Sequence, residues 1–214
     1  MKSLLALGLI FFAMTFCNLS ERLKQAAGSA TSNSNTSTAK PKTPASSDDA
    51  TAEKAEMTPA QQAIADGGKE TTWDTQGISW KLPAGWNKMA VQKESFNYGS
   101  PDKGFLIASI SVMPDSFPSD ESLKATYESA LEQLKQGKYE TVRYADIDGV
   151  KGVEWTEAMP EDKDGPRRHQ WIAFRHYLGQ NQQLNVMVST KGSAFDKKRD
   201  DFTAVLYSMK IPKG

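Results

Sequence analysis

Residues 139–157 read YETVRYADIDGVKGVEWTE and decide the fold of this chain. The dipeptide Asp148-Gly149 lies between two stretches of strand-forming residues, and it favours the tight turn of a β-hairpin because it accepts positive φ angles. A strand near Tyr139–Ile147 is therefore predicted to turn back into a strand that carries Val153 and Trp155. Strands joined by so short a turn pair antiparallel.

Further strands are predicted on both sides of this hairpin. They are Ile78–Leu82, a strand at Phe96 and Tyr98, Phe105–Met113, His169–Leu178, and a strand at Leu184, Val186 and Val188. Most of them alternate apolar and polar residues, which is typical of strands with one buried face. Phe105–Met113 is nearly continuous in apolar residues, which predicts a strand covered on both faces.

Helices are predicted before, between and after these strands. Ser119 is expected to cap a helix over 120–136, in which Leu123, Tyr127, Ala130, Leu131 and Leu134 form an apolar stripe. A last helix begins near Ser193. Strands followed by a helix, a run of hairpins and a second helix give an α+β fold: an antiparallel β-sheet flanked by helices, an α/β/α sandwich.

The distribution of aromatic residues divides the chain. None occurs between Cys17 and Thr72, whereas all five tryptophans and all six tyrosines follow residue 72. A segment without large apolar side chains buries too little surface to offset the entropy of ordering its backbone. We therefore predict a disordered Ser/Thr/Ala-rich tether over 17–56, a short helix over 57–68 that begins at Thr58-Pro59, and one α+β domain over 69–214.

The first residues predict export. Lys2 precedes a mostly apolar run, Leu4–Phe16, and the only cysteine, Cys17, follows directly. Residues 1–16 have the layout of a signal peptide and are too few to span a bilayer. Because this layout resembles that of bacterial lipoprotein precursors, it implies lipidation of Cys17 and a place in the cell envelope, at a periplasmic face or the cell surface.

Two other kinds of processing are compatible with the same residues. Phe16 departs from the small residue that lipoprotein precursors usually place before the cysteine. The alternatives are ordinary signal cleavage further on, after Ala27 or Ala30, and an uncleaved anchor.

Composition and motifs exclude several chemistries. Lysine plus arginine and aspartate plus glutamate each total 26, so the chain lacks the positive field of a nucleic-acid binder. His169 and His176 fall at odd separation in one strand, on opposite faces, so they cannot share a metal. The acidic loop 161–165 cannot serve as a calcium loop, because Pro160 and Trp171 would fill its end positions. We predict no catalytic, cofactor-binding or metal-binding residue.

Two motifs carry a resemblance to a known family. They are Leu82-Pro83-Ala84-Gly85-Trp86 after a strand and Asp148-Gly149-Val150-Lys151-Gly152 at the central hairpin. A closing helix with Phe202 and Leu206 also fits. The region from about Thr71 to Ile211 resembles the PsbP-like superfamily, which includes photosystem II extrinsic proteins and Ran-binding Mog-type proteins. This resemblance implies a sheet with helices on both faces, a role in binding or assembly, and no shared catalytic residues.

Three functions follow as hypotheses. The first is a non-enzymatic, lipid-anchored envelope protein that acts as a protein-interaction or assembly module. The second is a carrier or sensor for a lipid or small amphiphile, with a cavity between sheet and helix lined by Trp80, Phe105 and Tyr127. The third, ranked last, is a hydrolase that would depend on acids such as Glu154 and Glu157. The expected partners are the membrane, through the lipid anchor, and an envelope protein or amphiphile.

Overall fold

The structure is a computed structural model, and it describes residues 51–212. The predicted signal peptide 1–16, Cys17 and most of the predicted tether lie outside the described residues. The last part of that tether lies within them. Glu53–Lys54 forms a two-residue strand that pairs with the sheet, so the chain is fixed to the sheet shortly before residue 56.

Ten strands and four helices follow in chain order. The strands are β1 (Glu53–Lys54), β2 (Lys69–Trp73), β3 (Ile78–Leu82), β4 (Asn87–Val91), β5 (Ser95–Gly99), β6 (Phe105–Met113), β7 (Tyr139–Ile147), β8 (Val150–Glu157), β9 (Pro166–Tyr177) and β10 (Gln180–Lys191). The helices are α1 (Pro59–Asp66), α2 (Ser119–Lys135), α3 (Gly192–Phe195) and α4 (Arg199–Tyr207). A 3₁₀ turn, Asp196–Lys198, joins α3 to α4.

Eight strands form one sheet in the order β1-β7-β8-β9-β10-β6-β5-β4. Every neighbouring pair is antiparallel except β1 with β7, which is parallel, so the sheet is mixed at one edge. β2 and β3 form a separate antiparallel hairpin. The predicted α+β class is confirmed.

Helices lie on both faces of the sheet. On one face, α4 and the β2–β3 hairpin cover a core that includes Trp80, Trp171 and Phe202. On the other face, α2 packs over β7, β8 and β9, where Tyr127 stacks on Tyr144 at a centroid distance of 4.1 Å. β7, β8 and β9 supply side chains to both cores, since successive side chains of a strand point to opposite faces. The predicted α/β/α arrangement is therefore present.

The turn at Asp148-Gly149 forms as predicted. Asp148 has φ 53° and Gly149 has φ 86°, the two positive angles that this hairpin turn requires. The carboxylate of Asp146 accepts a hydrogen bond from the Gly149 amide at 2.7 Å. The turn thereby fixes the register of β7 on β8.

Some local predictions need correction. Ser119 is the first residue of α2 and does not cap it; the capping position belongs to Pro118, and no side chain bonds the first amides there. The predicted last helix is divided into α3, the 3₁₀ turn and α4. The short helix does have a capping box between Thr58 and Gln61. Gln61 also donates to Asp200 of α4 at 2.8 Å, so α1 is docked on the domain.

Gly152 generates the first testable prediction. A Cβ atom at this position would lie 2.3 Å from Nε1 of Trp171 and 2.7 Å from the carbonyl oxygen of Ile172. Because the indole is fully buried and the carbonyl belongs to the sheet, neither can withdraw cheaply. Gly152→Ala should lower the free energy of unfolding by about 2 kcal/mol or more, measured by urea denaturation.

Gly67→Ala is the matched control for this variant. Gly67 has helical angles and its nearest neighbour would lie 3.5 Å from the added Cβ, which is ordinary contact. The control should keep the wild-type unfolding midpoint. Equal midpoints for Gly152→Ala and the wild type would show that the Trp171 contact does not constrain the sheet.

Candidate functional site

A buried ionic cluster lies between the sheet and α4. Glu154 of β8 and His169 of β9 are 4% and 6% exposed, and His169 Nε2 lies 2.5 Å from Glu154 Oε1. The same carboxylate oxygen accepts a hydrogen bond from the Tyr207 hydroxyl of α4 at 2.7 Å. The second oxygen, Oε2, accepts from Nε of Arg143 at 2.8 Å. Three strands and one helix thus meet at one carboxylate.

Arg143 extends the cluster to the surface. Its Nη2 donates to the Tyr207 oxygen at 2.5 Å, and its Nη1 donates to Glu53 of β1 at 2.8 Å. Arg143 therefore links α4 to the point where the N-terminal segment joins the sheet. All three of its donor nitrogens have acceptors, so its charge is compensated within the domain.

Burial and charge act in opposite directions on Glu154. Burial alone would raise its pKa, but the hydrogen bond and charge of His169, followed by Arg143 and Tyr207, hold the pKa below its ordinary value. Burial, together with the negative charge of Glu154, raises the pKa of the Tyr207 hydroxyl. Glu154 is therefore ionised near neutral pH and accepts hydrogen bonds from three side chains. A carboxylate held in this way fixes the positions of those side chains relative to one another.

The other residues singled out in the sequence are dispersed. His176 is exposed, and its Nδ1 lies 3.0 Å from Asn181, on the face opposite His169 as predicted. Glu157 pairs with Arg168 at 2.8 Å. In the 161–165 loop, Asp164 pairs with exposed Lys191. Within residues 51–212, no three His, Cys, Asp or Glu side chains are grouped as a metal site would require.

The three residues expected to line one cavity lie in different places. Trp80 belongs to the core beneath α4, and Tyr127 belongs to the core beneath α2 on the opposite face of the sheet. Phe105 is 36% exposed at the start of β6. The predicted common cavity is therefore wrong, because the sheet separates two of these side chains.

Among residues 51–212, no helix covers one half of the sheet on the α2 side. α2 contacts β7, β8 and β9, whereas α1, α3 and α4 pack on the opposite side. The odd-numbered side chains of β6 and β10 consequently face outward. We call this surface the open sheet face and define it by its apolar residues Met89, Phe105, Ile107 and Met187.

Register brings these four side chains together. Ile107 is directly opposite Met187 on β10, and Phe105 is opposite Gly99 on β5. The sulfur of Met89 lies 3.0 Å from the position that a Cβ on Gly99 would occupy, so Met89 covers the glycine. Met89 is 61% exposed, while Ile107 and Met187 are half-buried.

Polar side chains surround this apolar centre. Gln170 donates to Asn185 at 2.8 Å across β9 and β10. Asn97, opposite Ile107 on β5, has a buried Oδ1 with no hydrogen-bond partner among residues 51–212. An apolar centre within a polar rim is the usual composition of a protein-binding surface.

From the sequence alone, the apolar run of β6 indicates a different environment from the one in the structure. Continuous apolar residues over Phe105–Met113 predicted a strand covered on both faces, and this prediction is wrong. Leu106, Ala108 and Ile110 enter the core, but Phe105 and Ile107 lie on the open sheet face. The apolar run is the sequence signal for this surface. It does not distinguish a face covered by the chain itself from a face covered by a partner.

No family model matches the sequence, and no curated protein matches it. Solved structures do resemble it. They include a cyanobacterial PsbP from Synechocystis (14% identity, TM-score 0.44, covering 68% of this chain and 94% of that one), LpqN of Mycobacterium tuberculosis, involved in cell envelope biogenesis (13%, 0.47, 68% and 86%), and the Ran-binding protein Mog1p of Saccharomyces cerevisiae (11%, 0.42, 68% and 96%).

A further similar structure, from Bacteroides thetaiotaomicron, is 16% identical with a TM-score of 0.43. The match covers 69% of this chain but only 49% of that protein, about half of its length. The PsbP and Mog-type proteins to which the sequence motifs pointed are both among these similar structures. At these identities the likeness concerns the fold alone.

Within residues 51–212, no helix is both long enough and apolar enough to cross a membrane.

The buried cluster generates the second prediction. Glu154→Gln keeps the shape of the side chain but leaves the Arg143 and His169 donors without their charged acceptor. Removing one partner of a buried ion pair is expected to lower the free energy of unfolding by about 3 kcal/mol at pH 7, measured by urea denaturation. Glu132→Gln, which breaks an exposed pair with Lys135, is the control and should change stability by less than about 1 kcal/mol.

The pH dependence follows from the same carboxylate. Since its folded pKa lies below the ordinary value of 4.5, ionised Glu154 stabilises the fold above that value, and this contribution is lost as the pH falls through the folded pKa. The stability difference between wild type and Glu154→Gln should therefore shrink on acidification below about pH 4.5. A difference that is independent of pH would contradict an ionised Glu154.

Proposed function

We propose that this protein is a non-enzymatic interaction module of the cell envelope, which binds a partner protein through the open sheet face. The observation that carries the proposal is a sheet whose β4-β5-β6-β10 half has a helix on only one side. Its bare side carries the apolar centre of Met89, Phe105, Ile107 and Met187. The proposed binding domain is 69–214, preceded by the helical segment 57–68.

The chemistry of the apolar centre suits a protein partner. Two of its four side chains are methionines, which adapt to irregular surfaces because they are unbranched and polarisable. The surrounding amides and hydroxyls of Asn97, Ser109, Asn185 and Gln170 can pair with a partner backbone. Sheet residues also hold these groups in fixed positions, so little order is lost on binding.

The area of the open sheet face indicates how a partner would sit. Four strands spaced about 4.8 Å apart, with some five residues each, present roughly 300 Å². A stable interface buries about 800 Å² on each partner. The partner is therefore expected to extend over the edge strand β4, whose outer backbone groups have no strand beside them in the described sheet.

Charge at this edge favours an acidic segment. Lys88 in β4 and Lys93, two residues after its end, are exposed, and neither is paired with a carboxylate within residues 51–212. Lysines on an edge oppose pairing with a second copy of the same strand. Carboxylates on a partner strand would instead complement them. The proposed partner is thus a protein with an extended acidic segment beside an apolar patch.

The non-enzymatic part of the proposal rests on how the polar groups are used. Glu154, one of the acids on which a hydrolase would depend, is buried and bonded to His169. Glu157, the other, accepts hydrogen bonds from both the side chain and the backbone amide of Arg168. The proposal therefore assigns both carboxylates to structural pairs.

We further propose that lipid on Cys17 holds the module at a membrane. From Cys17 to Glu53 the chain has 36 peptide links. A flexible coil of this length has a root-mean-square reach of roughly 33 Å. The pairing of Glu53 with the sheet and with Arg143 would fix the point at which this tether leaves the domain. A domain tethered in this way can search for an envelope partner without leaving the membrane surface.

Photocross-linking tests the docking surface. With benzoylphenylalanine in place of Phe105, the partner is expected to form a covalent adduct in intact cells. Leu178 is the matched control, because it is 74% exposed but lies at the β9–β10 turn, away from the open sheet face. Met89→Asp should reduce the Phe105 adduct at least tenfold, since a carboxylate would be buried against apolar groups. Equal adducts from both positions, or insensitivity to Met89→Asp, would refute this surface.

Fractionation tests the anchor independently. Wild-type protein is expected to remain with membranes after carbonate washing, and its Cys17 peptide should carry the mass of acyl chains. Cys17→Ser should move the protein to the soluble fraction, because a diacylated terminus supplies the membrane affinity. An unmodified Cys17 peptide with an unchanged distribution would show plain secretion or an uncleaved anchor instead.

A further inference from the structure

Met89 is the most exposed methionine in the described part of the chain. Residues 51–212 contain six methionines, and Met89 is 61% exposed. Met159 follows at 46%, whereas Met209 is fully buried in the core beneath α4. The others are half-buried. Because a dissolved oxidant must reach the sulfur atom from water, we expect Met89 to be oxidised before the other methionines of the domain.

Gly99 of β5 makes room for the Met89 sulfur within the open sheet face. A Cβ atom at position 99 would lie 3.0 Å from that sulfur and 3.6 Å from Cγ of Met89. Gly99 does not have the positive φ angle that would itself require a glycine. A glycine within a strand costs conformational entropy, and here its missing side chain leaves space for the thioether. Phe105 is opposite Gly99 on β6, so the sulfur belongs to the apolar centre of the face and not to its polar rim.

Oxidation would change the chemistry of this position more than its size. With hydrogen peroxide, a lone pair of the Met89 sulfur attacks one peroxide oxygen and the O–O bond breaks. The sulfur becomes a sulfoxide, and the second oxygen leaves as water with both protons. The sulfur is oxidised by the two electrons that reduce the peroxide. Since the thioether is apolar and the sulfoxide is polar, an apolar member of the face becomes a hydrogen-bond acceptor.

The free domain and a docked domain would respond differently to this change. In the free domain, water solvates the sulfoxide because Met89 is exposed, so the fold is not disturbed. In a complex formed through the open sheet face, the same oxygen would be buried against apolar groups. A buried acceptor without a donor weakens association by about tenfold or more. Oxidation of Met89 would therefore act on binding and not on stability.

We propose that Met89 is an oxidation site that controls docking at the open sheet face: the thioether form binds the partner, and the sulfoxide form releases it. This proposal rests on the docking function proposed above. The oxidant is a peroxide. Thiol-dependent sulfoxide reductases reverse the step, since two thiols become a disulfide while the sulfoxide oxygen leaves as water. The interaction would thereby follow the oxidant level around the domain.

Peptide mass spectrometry tests the reactivity of the site. The Cys17→Ser chain is used, so that the only thiol does not compete for the oxidant. After brief treatment with dilute hydrogen peroxide, the Met89 peptide should gain one oxygen faster than the Met159 peptide, and the Met209 peptide should stay unmodified. The oxidised protein should keep its urea unfolding midpoint. Oxidation of Met89 no faster than that of Met209, or unfolding that accompanies Met89 oxidation, would overturn the proposal.

Photocross-linking tests the effect on docking. In cells that carry benzoylphenylalanine in place of Phe105, a pulse of hydrogen peroxide should lower the partner adduct about tenfold. For each variant, the adduct after peroxide is compared with its own adduct before peroxide. Met89→Leu, which has no sulfur at this position, should show no such fall. Met159→Leu removes an exposed methionine that lies against Gly192, outside the open sheet face, and should respond as the wild type does.

The outcomes separate this proposal from the docking function on which it rests. A wild-type adduct that survives peroxide, although Met89 carries the oxygen, would overturn the oxidation site and leave the docking surface standing. An equal fall in Met89→Leu would assign the effect to another group, Met187 or the partner, and would also overturn it. No adduct even before peroxide would refute the docking surface, and the oxidation site would be refuted with it.

Discussion

The position of one indole ring constrains the whole sheet. Trp171 of β9 is fully buried, lies directly against Gly152 of β8, and donates from Nε1 to the carbonyl oxygen of Ala145 on β7 at 3.2 Å. The Trp171 side chain thus passes over β8 and reaches β7. Any side chain at 152 would exclude it, so the second glycine of the hairpin motif is a packing requirement. The ring lies within the core beneath α4, so the packing of that core depends on the position of the ring.

Helices cover the two halves of the sheet unequally. One half is buried on both faces, and the other half carries the proposed binding surface on its second face. The β7-β8-β9 half lies between two cores, since α2 packs on one face and the α4 side on the other. In the described part of the chain, β10, β6, β5 and β4 have only the α4-side core. α2 is 17 residues long, about 26 Å, and it runs along three strands, so it cannot also cover the rest. Phe105 and Ile107 therefore face outward, although their strand is as apolar as a strand that is buried on both faces.

The sequence predicted those parts of the fold that depend on local signals. The Asp148-Gly149 turn, the alternation of β9 and β10, and the stripe of α2 each have a short-range cause, and all three form. β2 and β4 were missed because four of the five residues of Lys69–Trp73 are polar and three of the five in Asn87–Val91 are exposed, so only pairing with a neighbour makes them strands.

The candidate sites were harder to predict for a different reason. The four members of the buried cluster are distant in sequence, with Glu154 and Tyr207 53 positions apart, and only the strand register and the docking of α4 bring them together. The patterns of aromatic and apolar residues specify the layers of the fold. The register between strands specifies which charged side chains pair.

The energetics of the buried cluster explain why it lies beneath α4. A buried ion pair adds little net stability, because the desolvation of its charges offsets their attraction. The apolar residues of α4, Phe202 and Leu206 among them, supply the burial that holds the helix on the sheet. Apolar contacts, however, are not directional and tolerate a shift of the helix along its axis. The Tyr207 hydroxyl accepts from Arg143 and donates to Glu154, and both bonds lengthen if α4 slides. The cluster therefore sets the position of α4 rather than its affinity for the sheet. Because Arg143 also holds Glu53, the same network fixes the N-terminal end of the domain relative to α4.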